Sequence, residues 1–245
     1  SGGVRVVGYS VKKEADVSLI EAAATGSGVE VSVSVYSDII KARLPLFGLF
    51  NVQNVLAVIA TFVSMGWRTS QIEASLKNLS PVVGRMDVFR RAGRPTIIVD
   101  YAHTPDALRK ALSAAQEHFP EHHISCVFGC GGDRDSSKRP VMGQIASRFA
   151  HRVILTSDNP RSENPDSIIR EIQTGVKGAD LHVIADRADA IREAIRLASR
   201  NGIIVIAGKG HEDYQELASG RVPFSDYAVI DEVMGVGGVT NAEEK

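Results

Sequence analysis

The sequence predicts an α/β fold built around a mostly parallel β-sheet. After about residue 92, short apolar runs alternate with amphipathic helical segments, which is the pattern of βα units whose strands are buried on both faces. Hydrophobic residues make up 44% of the 245-residue chain, as in ordinary globular proteins. A different pattern precedes residue 92, so we expect two units.

The first unit combines alternating and helical patterns. Residues 29–35 alternate Val with Glu or Ser, which is typical of a half-buried strand, and residues 4–9 are a further candidate strand. A helix ending at Gly66 is predicted by apolar positions that recur every three or four residues: Val52, Val55, Leu56, Ile59 and Val63. Ser70 and Glu73 are spaced as a capping box for a second helix.

The second unit is predicted to alternate strands with helices. The predicted strands are residues 96–99, 124–128, 153–156, 181–184 and 203–207. One helix begins at Thr104 and Pro105, and others lie near residues 139–149, 165–174 and 187–200, the last capped by Asp186. A polar, turn-forming stretch at residues 86–95 marks the boundary, and residues 235–245 are expected to be disordered.

Composition excludes several classes of protein. The 28 Lys+Arg residues balance 29 Asp+Glu residues, and no basic run stands out, so we expect neither nucleic-acid nor membrane binding. Apolar stretches such as residues 55–63 are too short to cross a bilayer, and no signal segment opens the chain. Cys126 and Cys130 cannot form a disulfide framework, which favours a cytoplasmic location.

Four unusual segments follow predicted strands: residues 100–103, 129–138, 158–161 and 208–212. Ligands of open parallel sheets bind beyond the carboxyl ends of the strands, so we expect these segments to meet at one rim. The glycines of residues 129–132 fit either a phosphate-binding turn or a tight strand-to-helix turn, and Lys138 favours the first.

Residues 158–161 suit a zwitterionic ligand. Arg161 has a planar guanidinium for a carboxylate, and Asp158 has a carboxylate for an ammonium group. The alternative is an ordinary Asp-Asn-Pro turn beside a solvated arginine. Glu212 is similarly either a ligand for an amine or a carboxylate at a helix start.

Six motifs, in one order, resemble those of the Mur ligase family over nearly the whole chain. They are GLFNVQN at 48–54, GRMD at 84–87, DYAHTPD at 100–106, GGDRD with KRP at 131–140, DNPR at 158–161 and GKGHE at 208–212. The resemblance implies a Rossmann-like C-terminal domain at residues 92–245. It also implies that residues 1–91 are the back part of an α/β ATPase central domain.

The resemblance further implies ATP-driven amide formation in peptidoglycan synthesis. ATP would phosphorylate a carboxylate of UDP-N-acetylmuramoyl-L-alanyl-D-glutamate, and the amine of meso-diaminopimelate would attack the acyl phosphate. The family positions that hold the amino acid match Arg134, Asp158, Asn159, Pro160, Arg161, Gly208 and Glu212. Those near ATP match Asn51, Asn54, Arg85, Asp100, Tyr101, His103 and Lys138, although a local role at the helix start fits His103 equally well.

Several features depart from the family pattern. No P-loop of the form G-x-x-x-x-G-K-[ST] occurs, so we expect the P-loop, the carboxylated lysine and the main Mg²⁺ ligands to lie in an N-terminal half missing from this chain. No catalytic residue or metal ligand is therefore assigned here, and the chain alone is expected to be inactive. Asp87 stands where the family more often has Glu. The alternatives are a dinucleotide-dependent oxidoreductase domain and a non-catalytic ligand-binding module.

Overall fold

The computed structural model describes residues 6–235. The chain divides into two compact units, residues 1–81 and 82–245. Part of the candidate strand at residues 4–9, and all of the predicted disordered tail except Gly235, lie outside the described residues.

The first unit is a four-stranded sheet with two helices. Its elements are β1 (Tyr9–Ser10), β2 (Val17–Thr25), β3 (Gly28–Val35), β4 (Asp38–Leu44), α1 (Asn51–Ser64) and α2 (Thr69–Leu76). The strand order is β1-β2-β3-β4, with β1 parallel to β2 and the other pairs antiparallel. The alternation predicted for β3 is confirmed, because Val31 and Val33 are buried in one core with Leu56 and Ile59 of α1.

The start of α2 differs from the prediction. The helix begins at Thr69, and the side-chain oxygen of Gln71 accepts a hydrogen bond of 3.0 Å from the backbone N–H of Arg68. Ser70 therefore lies inside the first turn, and the capping box predicted for Ser70 and Glu73 is wrong. Gln71 satisfies the orphan amide instead.

The second unit is a six-stranded sheet with helices and a separate hairpin. Its first elements are β5 (Asp87–Phe89), β6 (Thr96–Asp100), α3 (Pro105–His118), β7 (Ile124–Phe128), α4 (Lys138–Phe149), β8 (Arg152–Leu155) and α5 (Pro165–Gln173). The later elements are β9 (Asp180–Val183), α6 (Arg187–Leu197), β10 (Ile203–Ala207), β11 (Tyr214–Leu217), β12 (Gly220–Pro223) and α7 (Asp226–Met234).

The strand order is β5-β6-β10-β7-β8-β9, and all neighbours are parallel except β5 and β6. The predicted α/β arrangement with a mostly parallel, Rossmann-like sheet is confirmed. The unit begins ten residues before the predicted boundary because β5 pairs with β6, Asp87 lying opposite Val99. The turn-forming stretch at residues 90–95 is thus a connection inside this unit.

Helices cover the sheet. One core contains Val99 and Ile206 of the sheet with Ile191 of α6 and Ile230 of α7, while α3 packs against α4, and α4 against α5. The predicted N-caps Thr104 and Asp186 are confirmed, since each accepts a hydrogen bond from the first turn of its helix. Nothing in the sequence analysis predicted α7 or the hairpin of β11 and β12.

Within the described range, no helix has both the length and the apolar character needed to cross a bilayer.

Candidate functional site

The carboxyl ends of β6, β10, β7 and β8 border a cleft of about 660 Å³, here called the carboxyl-end cleft. The fifteen lining residues are Tyr101, His103, Thr104, Pro105, Gly131, Arg134, Asp135, Ser137, Lys138, Val141, Asp158, Asn159, Arg161, Gly208 and Glu212. The volume is typical of a small-molecule site. All four loops expected at one rim contribute to it.

Most of the candidate site residues meet in this cleft. Those that line it are Arg134, Asp158, Asn159, Arg161, Gly208, Glu212, Tyr101, His103 and Lys138. Pro160, Arg85 and Asp100 do not line it. Asn51 and Asn54 are in the first unit, on α1, and the role expected for them stays a prediction.

Close backbone packing explains the glycines after β7. A Cβ on Gly132 would lie 2.0 Å from the carbonyl oxygen of Pro160, and one on Gly129 would lie 2.3 Å from that of Thr156. The N–H of Gly132 donates to the carbonyl oxygen of Asn159 at 2.9 Å. These glycines therefore allow the loops after β7 and β8 to pack closely together. This packing favours the tight strand-to-helix turn over the phosphate-binding turn as the reason for the glycines.

A buried lysine organises the side of the cleft that Asp158 and Glu212 line. Lys209 is fully buried, and its Nζ donates to Asn159 Oδ1 at 2.8 Å and to Glu212 Oε2 at 3.2 Å. The same Nζ lies 3.4 Å from Asp158 Oδ1, a buried atom that has no hydrogen-bond partner among the described residues. One ammonium group thus faces two carboxylates, and the excess negative charge favours a ligand ammonium group.

Arg161 is held by the hairpin. Its Nε donates to Glu216 Oε2 at 2.9 Å, and its Nη1 donates to the carbonyl oxygen of Gly132 at 2.8 Å. The backbone N–H of Arg161 also donates to the carbonyl oxygen of Glu216, and its φ is 51°. The solvated-arginine alternative is therefore wrong, because both its backbone and its guanidinium are positioned.

Glu212 connects two sides of the cleft. Its Oε2 accepts from Asn159 Nδ2 at 3.1 Å, and its Oε1 accepts from the Tyr101 hydroxyl at 3.4 Å. Burial and the Glu212 carboxylate raise the pKa of Tyr101, so this hydroxyl stays protonated and donates. Residues 208–213 form a turn that leads into β11 and no helix, so the helix-start alternative for Glu212 is wrong.

Asp100 stabilises the loop behind the cleft. Its Oδ2 accepts the Met86 N–H at 3.0 Å, and its carbonyl oxygen accepts the Gly208 N–H at 3.1 Å. Burial raises the pKa of its carboxyl, although the Met86 hydrogen bond and the Arg85 charge oppose the shift. The Arg85 guanidinium lies 5.0 Å from the centroid of the Tyr101 ring, which places it behind that ring.

An ion-pair network braces the loop that carries Arg134. Arg139 is buried and donates to Glu163 and Glu171 at 2.8 and 3.0 Å, and Glu163 also accepts the Asp133 N–H at 2.6 Å. The Arg139 hydrogen bonds lower the pKa of Glu163. Arg134 itself is exposed, so it projects from a braced loop with its guanidinium accessible.

Another cationic side chain, Lys138, lies on the opposite side of the cleft. Lys138 is half-buried at the start of α4, and its Nζ donates to the carbonyl oxygen of His103 at 2.8 Å. The Nδ1 of His103 lies 2.9 Å from the carbonyl oxygen of Tyr101, so His103 has a local role and also lines the cleft. Lys138 and Arg134 suit an anionic group such as a phosphate.

No group of three or more His, Cys, Asp or Glu side chains within residues 6–235 is arranged to hold a metal ion. The two cysteines are buried, and burial raises the pKa of each thiol to about 12. Neither thiol is therefore a nucleophile at neutral pH. His118, at the end of α3, is also buried.

Sequence reasoning missed Lys209 and Glu216. The GKGHE motif contains Lys209, but nothing in the local sequence shows that this lysine is buried. Glu216 lies 55 residues after Arg161, in a hairpin that the sequence analysis did not predict, so no local pattern joined the two.

Comparisons with known proteins place the chain in a family. The model of the Mur ligase, glutamate ligase domain matches residues 84–210. The UDP-N-acetylmuramoyl-L-alanyl-D-glutamate--2,6-diaminopimelate ligase of Alkalilimnicola ehrlichii is 44% identical over 237 residues, which are 96% of this chain and 47% of that protein. The Haemophilus influenzae protein of the same name is 50% identical over 186 residues, 76% of this chain and 38% of that protein.

A solved structure of a ligase of the same name has a TM-score of 0.72 and 36% identity, covering 94% of this chain and 47% of that one. The chain spans about half the length of the curated relatives that it matches. The fold, the family model and the relatives agree, and the chain belongs to the Mur ligase family.

Proposed function

We propose that this chain is the amino-acid-binding part of an ATP-dependent ligase that adds meso-diaminopimelate to UDP-N-acetylmuramoyl-L-alanyl-D-glutamate. The observation that carries the proposal is the meeting of Asp158, Arg161 and Glu212 in the carboxyl-end cleft. The names of the relatives support the choice of substrates. A cytoplasmic location is part of the proposal, because ATP is the energy source.

The charges in the cleft suit an amino-acid head. Asp158 and Glu212 line the cleft and share the ammonium group of Lys209, so their remaining negative charge would attract the ligand ammonium group. Arg161 and Arg134 would bind the ligand carboxylate, Arg161 from a fixed position and Arg134 from an accessible one. Asn159 and Gly208 would line the head, and Pro160 shapes the turn between them.

This arrangement favours meso-diaminopimelate over lysine. The far end of lysine has an ammonium group but no carboxylate, so bound lysine would lack the charge-assisted hydrogen bonds that a ligand carboxylate would accept from Arg134 and from the Arg161 guanidinium, whose Nε is already paired with Glu216. Hydrogen bonds to charged groups contribute about 1.5 to 3 kcal/mol, which corresponds to a preference of roughly tenfold or more.

ATP would bind beside the amino acid. Lys138 would contact its phosphates, and Arg85, Tyr101 and His103 would lie near its ribose-phosphate part, with Asp100 holding the loop. Asn51 and Asn54 would approach the adenine. Mg²⁺ would neutralise phosphate charge, and its main ligands would lie in another part of the protein, since the described carboxylates form no cluster of three.

The chemistry would depend on positioning and charge. ATP would phosphorylate the substrate carboxylate with release of ADP. The neutral amine would then attack the acyl phosphate, and the tetrahedral intermediate would collapse to the amide with loss of a proton and release of phosphate. Lys209 and Asn159 would keep Glu212 oriented toward the ammonium group at the far end of the ligand, and Arg161 and Arg134 would hold the carboxylate there, so that the amine at the other end is positioned for attack. The first unit would be the rear of the central ATPase domain, and the second unit, which begins at Val82, would be the C-terminal domain. Without a P-loop, this chain alone would not ligate.

A chimera tests the proposal. The matching segment of the Alkalilimnicola ehrlichii ligase is replaced by this chain, and phosphate release is measured with ATP, the nucleotide-linked peptide and meso-diaminopimelate. We expect phosphate release that needs all three substrates, and none from the 245-residue chain alone. A folded chimera that releases no phosphate, or an active isolated chain, would contradict the proposal.

A further inference from the structure

A second cleft, of about 420 Å³, lies at the opposite end of the parallel sheet and is here called the amino-end cleft. Thr96 and Ile203, the first residues of β6 and β10, line it, whereas the carboxyl-end cleft lies beyond the last residues of those strands. The length of a strand, roughly 13 Å, separates the two clefts. The amino-end cleft therefore belongs to a different site.

The amino-end cleft is strongly basic. Its lining residues are Arg90, Arg91, Ala92, Gly93, Arg94, Thr96, Phe119, His122, Arg200, Asn201 and Ile203, and no Asp or Glu is among them. The chain as a whole has a net charge of -1, so this concentration of arginine is local. Residues 90–94 and Arg200 are more than 100 positions apart in the sequence, and the fold brings them to one cleft. For this reason the sequence shows no long basic run at this site.

Two of these arginines have structural contacts. The Arg91 guanidinium donates to the carbonyl oxygen of Met234 at the end of α7, and the Arg90 guanidinium lies 5.7 Å from the centroid of the Phe119 ring. Burial lowers the pKa of Arg90 from its ordinary value. Because Arg90 covers the Phe119 ring, that ring is not free to stack with a nucleobase.

Arg94 and Arg200, unlike Arg90 and Arg91, have free side chains within the described part of the chain. Both are exposed, and neither side chain makes a hydrogen bond or ion pair with any residue in the range 6–235. Like charges that share a cleft repel, and nothing among the described lining residues neutralises them. A bound anion would remove this repulsion and satisfy the guanidinium donors.

We propose that the amino-end cleft binds a small soluble ligand with a diphosphate or triphosphate group, held by Arg94 and Arg200. A guanidinium binds phosphate oxygens through paired N–H donors, and two guanidinium groups match a ligand with at least two negative charges. The cleft is concave and falls within the volume range of small-molecule sites. This site is independent of the proposed ligase function, because it uses no residue of the carboxyl-end cleft.

The probe is inorganic pyrophosphate, titrated into the 245-residue chain by calorimetry. The test variant is the double substitution Arg94→Gln and Arg200→Gln, and the matched control is Arg148→Gln with Arg170→Gln, two exposed arginines outside both clefts that change the net charge equally. We expect the test variant to lose about tenfold or more in affinity at this site, and the control to bind as the parent does.

Lys138→Gln separates this site from the proposed ATP site. Pyrophosphate binding that is lost in Lys138→Gln and kept in the Arg94 and Arg200 variant would overturn the proposal, as would equal losses in the test and control variants. Binding to phosphatidylglycerol vesicles through Arg94 and Arg200, without any binding of pyrophosphate, would assign the cleft to a lipid headgroup and overturn the soluble ligand.

Discussion

The Nζ of Lys209 lies 2.8 Å from the Oδ1 of Asn159, although the two residues are 50 positions apart in the sequence. This contact joins the loop after β10 to the loop after β8 and places a buried cation beneath two carboxylates, Asp158 and Glu212. The side of the carboxyl-end cleft that Asp158 and Glu212 line therefore rests on a buried ion-pair network.

Replacing Lys209 by Met should destabilise the second unit. The substitution leaves Asp158 and Glu212 close together without their shared cation, and breaking a buried ion pair costs about 3 kcal/mol. The free energy of unfolding in urea measures the effect. Lys110→Met removes an exposed ion pair with Asp106 and should cost less than about 1 kcal/mol. Equal losses of unfolding free energy in the two variants would show that the buried ion pairs of Lys209 do not stabilise the second unit.

Glu163→Gln should weaken the braced loop in a pH-dependent way. Hydrogen bonds from Arg139 lower the pKa of Glu163 in the folded state, so its contribution to stability is present above its ordinary pKa of about 4.3 and is lost as the pH falls through the lower folded value. Because Glu171 still pairs with Arg139, we expect a loss of about 1 to 2 kcal/mol at pH 7.

The same unfolding measurement, repeated at successively lower pH, should show this difference shrink once the pH falls below about 4.3. Glu73→Gln, which removes an exposed partner of Lys77, is the control and should change stability by less than about 0.5 kcal/mol. A difference between Glu163→Gln and the parent that stays constant with pH would mean that the charge of Glu163 is not involved.

Much of the second unit was predictable because its strands are continuous apolar runs between amphipathic helices. The caps at Thr104 and Asp186 were predictable as well, since capping depends on neighbouring residues. The cleft residues were found because each follows a strand and matches a family motif. The boundary at Val82 was not predicted, because β5 is a three-residue strand that is fixed by pairing with β6.

Contacts between distant segments were not predictable. Glu216 reaches Arg161 from a hairpin whose strands, β11 and β12, carry little apolar alternation. Arg200 and Arg94 line the same amino-end cleft because β10 lies between β6 and β7 in the sheet. Each relationship depends on strand order, which periodicity does not encode.

Asp87 and Tyr227 should be energetically coupled. Asp87 Oδ2 accepts from the Gly84 N–H at 2.6 Å and from the Tyr227 hydroxyl, and burial together with Asp87 raises the pKa of that hydroxyl. We expect Asp87→Asn and Tyr227→Phe each to cost about 1 to 2 kcal/mol in urea unfolding. The double variant should cost less than the sum of the two, and strict additivity would show that the pair does not interact.

The two cysteines should resist alkylation in the folded chain. Burial raises the pKa of Cys126 and Cys130 to about 12, so the reactive thiolate is almost absent at pH 8. Because the folded pKa is raised, the neutral thiols favour the fold below their ordinary pKa, and this contribution is lost as the pH rises toward 12. Mass spectrometry after iodoacetamide treatment should find no label on the native chain and two labels after unfolding in guanidinium. Rapid labelling of the native chain would show that these sites open.

The most direct test of the central claim is calorimetric titration of the 245-residue chain with meso-diaminopimelate and with L-lysine. We expect meso-diaminopimelate to bind about tenfold or more tightly than lysine, and Arg161→Gln to remove that preference. Glu212→Gln should weaken both ligands, because both have an ammonium group. Equal binding of the two ligands by the parent chain, or a preference unchanged in Arg161→Gln, would contradict the account.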